Sequence, residues 1–109
     1  MTLSSMYLFK EVSAEMESEI LNNANKGTIM VLQVKCDGNF DLVIEGCVDI
    51  SRDEYSGLAS INMGNLTKTE SINTSGIYQL DISGCRKIKA NIKSIGNSPL
   101  TVYAIVKEG

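Results

Sequence analysis

At 109 residues, with 43% hydrophobic residues and a formal charge of −3, the chain has the composition of an ordinary globular protein. A single domain over residues 1–109 is long enough to bury roughly two-thirds of the surface its unfolded form exposes, so neither a disulfide framework nor a metal is required. The acidic balance argues against nucleic acid as a partner, and no stretch approaches the ~20 apolar residues that a bilayer crossing needs.

The chain contains no histidine. Serine, cysteine and zinc hydrolases usually recruit an imidazole as base or ligand, and no carboxylate pair or lysine base stands out in its place. The expectation is a protein without enzymatic activity, cofactor or metal. Cys36, Cys47 and Cys85 are an odd set without CxxC spacing and are expected to be small buried hydrophobes.

The N-terminal "MTLSSMYLFKEVS" lacks a basic segment followed by an apolar run, so a cytosolic protein is expected. Residues 1–27 allow two readings. "YLFK" can form a short strand, and "SAEMESEILNNANKG" is either a short helix capped by Ser13 and stopped by Gly27 or a loop with a strand at "SEIL". The second is favoured, because a sandwich needs a partner for its first sheet.

From residue 28 to 107 the sequence reads as the core of a sandwich. "TIMVLQVKC" is apolar at nearly every position, as expected of a strand covered on both faces. "DGN" supplies turn residues, and "FDLVIEGCVDI" resumes with Phe40, Leu42, Ile44 and Val48 on one face, which together predict a hairpin. "SRDEYSG" is a polar loop, "LASINM" a weaker strand, and "GNLTKTESINTSG" holds another short extended piece. In "SGIYQLDISGCRKIKANIKS", Tyr78, Leu80 and Ile82 share one face, whereas Ile77 fits the pattern less well. After the turn at "SGC", Ile88, Ala90 and Ile92 oppose Lys87, Lys89, Asn91 and Lys93. "LTVYAIV" follows the turn "GNSP", with Val102, Ala104 and Val106 on one side, and the last three strands together read as a meander. The fold class is therefore all-β: an antiparallel, jelly-roll-like β-sandwich of about eight short strands, with a short N-terminal helix as the alternative for residues 12–26.

Two features are candidates for docking to another protein. Arg86, Lys87, Lys89 and Lys93 make a basic face, which is either the solvated, pairing-resistant side of a sheet or a surface for an acidic partner. Tyr103 and Ile105 make the last strand apolar on its second face as well, so that face is either covered within the domain or buried between proteins. The acidic series Asp37, Asp41, Glu45, Asp49, Asp53 and Glu54 has strand spacing, not the spacing of a calcium loop, and reads as a solvated face. A sugar platform would need exposed aromatics. There is no tryptophan and Tyr78 is expected in the core; Tyr7, Tyr55 and Tyr103 remain as platforms, of which Tyr55, in a polar loop, is the one placed near solvent.

The order "LQVKCDGNFDLVIEGCVDI", "LASIN" and "GIYQLDISGCRKIKANIKSIGNSPLTVYAIV" resembles small β-sandwich virion proteins of tailed bacteriophages and prophages of Gram-positive bacteria. Glu45, Gly46 and Cys47 match a step that ends a hairpin in that group. Gly76, Tyr78, Asp81 and Gly84 match a following turn. The resemblance spans residues 28–107 and departs at Tyr55, where tryptophan is frequent, and at Cys47, where serine is. It implies a non-catalytic virion component, assembled in the host cytoplasm and present in many copies or as a homo-oligomer. Its partner would be the phage major capsid protein or, as the alternative, neck, tail or baseplate proteins, where such a module could bind host carbohydrate. No membrane partner is implied.

Overall fold

The computed structural model describes residues 2–23, 27–49 and 51–108. Among them no helix forms. The strands are β1 (Thr2–Val12), β2 (Leu21–Asn22), β3 (Ile29–Lys35), β4 (Phe40–Cys47), β5 (Ser56–Leu58), β6 (Ser60–Asn62), β7 (Thr67–Thr69), β8 (Gly76–Asp81), β9 (Lys87–Ile95) and β10 (Leu100–Lys107). They build a six-stranded sheet of order β1-β10-β3-β8-β6-β7 and a four-stranded sheet of order β2-β9-β4-β5, with antiparallel pairing throughout. The protein is an all-β sandwich of ten strands where the turn signals predict about eight. The division of "LASINM" at Ala59 adds one strand, and β2 stands beside the strand expected at "SEIL".

Alternation along each strand decides which residues face the other sheet. Met30, Leu32 and Val34 of β3, Tyr78 and Leu80 of β8, and Val102, Ala104 and Val106 of β10 pack down from the six-stranded sheet. Leu42 and Ile44 of β4 and Ile88, Ala90 and Ile92 of β9 meet them from the other. Tyr78 is fully buried and keeps its hydroxyl satisfied by donating to the Thr74 carbonyl at 2.8 Å. All three cysteines are free and buried, as expected of small hydrophobes.

Several local expectations change once the strands are placed. The turn at Asp37–Asn39 does not close a hairpin. Both edges of β3 are already taken, by β10 and β8, so the chain crosses to open β4 in the other sheet. The crossing is held by Ser75 Oγ, which accepts from the Cys36 amide and donates to the Cys36 carbonyl. The predicted meander is likewise replaced: β8 and β10 lie in the six-stranded sheet and β9 in the other, so each corner carries the chain between layers. Gly84 takes φ +82° at the first of these corners, and the Asp81 carboxylate accepts the Ser83 amide beside it.

β3 is not covered on both faces either, since its outer residues Gln33 and Lys35 are exposed. Val48 is 69% exposed instead of joining Phe40, Leu42 and Ile44 inside, because Gly46 and Cys47 are buried in succession and break the alternation. A Cβ on Gly46 would lie 2.8 Å from Cys85 Sγ, which explains a glycine at that step.

The N-terminal quarter follows the loop reading. β1 is an eleven-residue strand, far longer than "YLFK", and Glu17 bridges Asn91 before β2 joins β9. The helical alternative falls for the described part of 12–26, and residues 24–26 lie outside it. The loop is closed by a buried side chain: Asn23 Nδ2 donates to the carbonyls of Gly27 and Cys85 (2.9 and 3.0 Å), and its Oδ1 accepts the Gly27 amide at 2.8 Å. Replacing it strands those backbone groups away from water. Asn23→Ala should therefore lower stability by about 3 kcal/mol, read as a drop in the urea midpoint at unchanged slope.

Candidate functional site

The two docking features predicted from sequence come to lie on opposite outer faces of the sandwich, so they form no common site.

On the four-stranded sheet, β9 pairs with β4 and sets Lys87 against Cys47, Lys89 against Glu45 and Asn91 against Val43. The two lysines are not free. Lys89 Nζ lies 2.7 Å from Glu17 Oε2, Lys87 Nζ lies 2.7 Å from Asp53 Oδ1, and both side chains are only about 15% exposed (15% and 14%). Tyr55 lies beneath them, its ring centroid 4.3 Å from Lys89 Nζ and 5.9 Å from Lys87 Nζ. The loop after β4 and the segment before β2 thus close over the middle of the basic strand and neutralise it. Tyr55, expected near solvent, is half-buried with its hydroxyl enclosed. Arg86 and Lys93 remain exposed and form no ion pair among the described residues. They sit at the two ends of the strand, with Lys93 at the register shift between the Leu42–Ile92 and Asp41–Ser94 pairs.

The acidic series is dispersed across the same region. Asp49 accepts from the Ser51 amide and hydroxyl, Asp53 holds Lys87, and Arg52 lies 3.9 Å from Asp49 and 3.5 Å from Glu54. Among the described residues no three acidic or cysteine side chains converge as metal ligands would.

The outer face of the six-stranded sheet is different in character. Strand register places Ser5, Ile105, Val31, Gln79 and Ile61 in one row across five strands. The next row runs Tyr7, Tyr103, Gln33 and Ile77. The centre of the face therefore carries no charge; Lys35, Lys107 and Asp81 stand at its margins, Lys68 of β7 ends the first row beside Ile61, and the Lys10 ammonium lies over the Tyr7 ring at the β1 edge. Tyr7 is 53% exposed, Ile77 49% and Ile61 41%, whereas Tyr103, Ile105 and Val31 are half-buried by their own neighbours. The Tyr7 and Tyr103 rings meet edge to face at 5.0 Å, beside a shallow depression of about 490 Å³ that Gln33, Lys35 and Thr101 complete.

Tyr103 and Ile105 were found from sequence because β10 is apolar on both faces. Val31, Ile77 and Ile61 were not grouped with them, and Tyr7 was named beside Tyr103 only as an aromatic platform. The misfit of Ile77 and the nearly unbroken apolar run of β3 were the available signals, but grouping them needs the order of strands that are remote in sequence.

Lys87 holds the Asp53 carboxyl below the ordinary aspartate value of 3.8, first through the hydrogen bond and then through charge, and is itself raised above 10.5 by the same partner. The pair's contribution to folding is whole between those two ordinary values. It is lost as pH falls through the lowered Asp53 pKa, and again as pH rises through the raised Lys87 pKa. An NMR titration should place the Asp53 midpoint below 3.8 and return it toward that value in Lys87→Met; the same midpoint in both proteins would mean that the pair does not form in solution.

No family model and no curated protein matches the sequence. Among solved structures, the chain is similar to the SPBc2 prophage-derived protein YomS, at TM-score 0.81 and 18% identity over 94% of this chain and 90% of that one. It is also similar to the PBSX exported protein XepA, at TM-score 0.85 and 15% identity, again over 94% of this chain but only 37% of that one. The chain thus spans little more than a third of XepA. At these identities the likeness establishes the fold, and the fold is one found in prophage-derived proteins.

Proposed function

We propose that the chain is a non-enzymatic structural component of a bacteriophage particle, assembled in the host cytoplasm and bound in many copies to the outer surface of the major capsid protein shell. The observation that carries this reading is the uncharged centre of the outer face of the six-stranded sheet, about 19 Å wide from β1 to β6 at the usual strand spacing. An apolar, aromatic-bearing centre with charges confined to the rim is the anatomy of a protein contact, and little desolvation cost opposes its burial. The fold shared with prophage-derived proteins and the absence of histidine support the same reading.

A second reading, a neck, tail or baseplate accessory that binds host carbohydrate, is favoured by one observation. Tyr7 and Tyr103 offer aromatic surface beside the polar groups of Gln33 and Thr101. On this reading the sugar would stack on the six-stranded sheet and not at Tyr55.

Mass spectrometry of separated heads and tails from the phage or prophage that encodes the chain distinguishes the two. Recovery with heads at a copy number comparable to the shell protein is the expected result. Recovery with tails favours the accessory reading, and absence from both overturns the virion assignment. Tyr7→Lys with Ile77→Lys, both at exposed positions, should reduce occupancy on the particle about tenfold or more. Arg86→Glu with Lys93→Glu, on the opposite sheet, should leave occupancy unchanged; loss through that pair instead would move the contact to the basic strand.

A further inference from the structure

A second surface lies at the side of the sandwich where both sheets end. β1 closes the six-stranded sheet and pairs only with β10. The segment from Met16 to Asn22 closes the other sheet, tied to β9 by the Ile92 amide on the Met16 carbonyl (2.9 Å), the Ser18 amide on the Ala90 carbonyl (2.8 Å) and the pairing of β2. These two edges do not meet. Between them runs a groove of about 460 Å³ walled by Met6, Leu8 and Val12 on one side and Met16, Ile20 and Leu21 on the other. Met16 and Ile20 are 45% and 47% exposed, large apolar side chains left at the mouth of a groove that leads toward the core.

Along this groove β1 presents the outer backbone row of a terminal strand, the template on which a further strand can form. Register shifts between Thr2 and Ser4 and between Tyr7 and Phe9 confine the regular part of that row to Ser4–Tyr7. An added strand is therefore short and draws the rest of its contact from side chains in the groove.

Charge selects the occupant. Glu19 lines the groove, and Glu11 and Glu15 flank its lining residues Val12 and Met16 in the chain; all three are exposed and form no ion pair among the described residues, while Glu17 is held by Lys89. One cation, Lys10, also lines the groove, but its ammonium is turned onto the Tyr7 ring at 5.2 Å, so the carboxylates outnumber it. A second copy docked here about a two-fold axis would bring the same carboxylates against these, which disfavours self-pairing. We propose that the groove takes an extended segment of a different protein, with apolar residues alternating with lysine or arginine, which adds to β1 as a short strand while its basic residues face Glu15 and Glu19. This surface adjoins the outer face of the six-stranded sheet only at Tyr7, which borders both, and the proposal does not rest on the virion reading.

The test uses the full chain, isotope-labelled, titrated with a peptide of about eight residues alternating valine and lysine and with its valine–glutamate counterpart. The lysine peptide should shift amide signals of Ser4–Leu8 and Met16–Leu21, more weakly as salt rises. Met16→Ser with Ile20→Ser, and separately Glu15→Lys with Glu19→Lys, should each weaken binding about tenfold or more. All four positions are exposed, so an otherwise unchanged amide spectrum verifies the fold. Equal binding of the glutamate peptide, shifts confined to the outer face around Tyr103, or no binding at millimolar peptide would each overturn the proposal. So would a dimer in sedimentation that Ile20→Ser dissociates, because a second copy would then be the occupant.

Discussion

The antiparallel pairing of β3 with β10 sets Met30 against Val106, Leu32 against Ala104 and Val34 against Val102, and the remaining architecture follows from it. These six side chains are buried together and form the floor of the core. Because β10 also accepts β1, and β3 also accepts β8, neither central strand has a free edge. β4 and β9, which follow β3 and precede β10 in the chain, must therefore pair with each other in the second layer. One pairing between the two ends of the core thus turns what look like successive hairpins into successive crossings.

The same pairing creates two outer faces of opposite electrostatic character. On the four-stranded sheet, Glu17, Asp53 and Tyr55 are brought against Lys87 and Lys89, so the charges are answered within the molecule. A partner docking there would have to displace or desolvate pairs that already exist, a cost that opposes binding. On the six-stranded sheet, Ile105 beside Val31 and Tyr103 beside Tyr7 present neutral surface whose transfer from water is favourable. That difference between faces, and not the number of basic residues in β9, favours the six-stranded sheet as the side for a protein contact.

Much of this was legible along the chain. The alternation in "IYQLDI", "KIKANIK" and "LTVYAIV" identifies Tyr78, Ile88, Ala90, Val102 and their neighbours as core, because inward and outward positions repeat every second residue whatever the strand pairs with. The same independence is why the predicted hairpin and meander failed. A strand facing its partner across the core shows the same alternation as one hydrogen-bonded beside it. The ion pairs of Lys87 and Lys89 were hidden for a related reason, since Asp53 and Glu17 lie in loops with no periodic signal and reach the lysines only after both sheets have formed.

The sequence by itself determined the all-β class, the burial of the three cysteines, the inward face of the long strands and the oddity of a last strand apolar on both sides. Each of these is a property of one segment, set by side-chain chemistry and a two-residue period. Tertiary structure decided which strands are neighbours, which lysines are neutralised, that Tyr7 and not Tyr55 is the exposed ring, and that a groove opens beside β1. Those outcomes depend on contacts between residues far apart in the chain, whose formation is governed by shared burial and by which strand edges remain free.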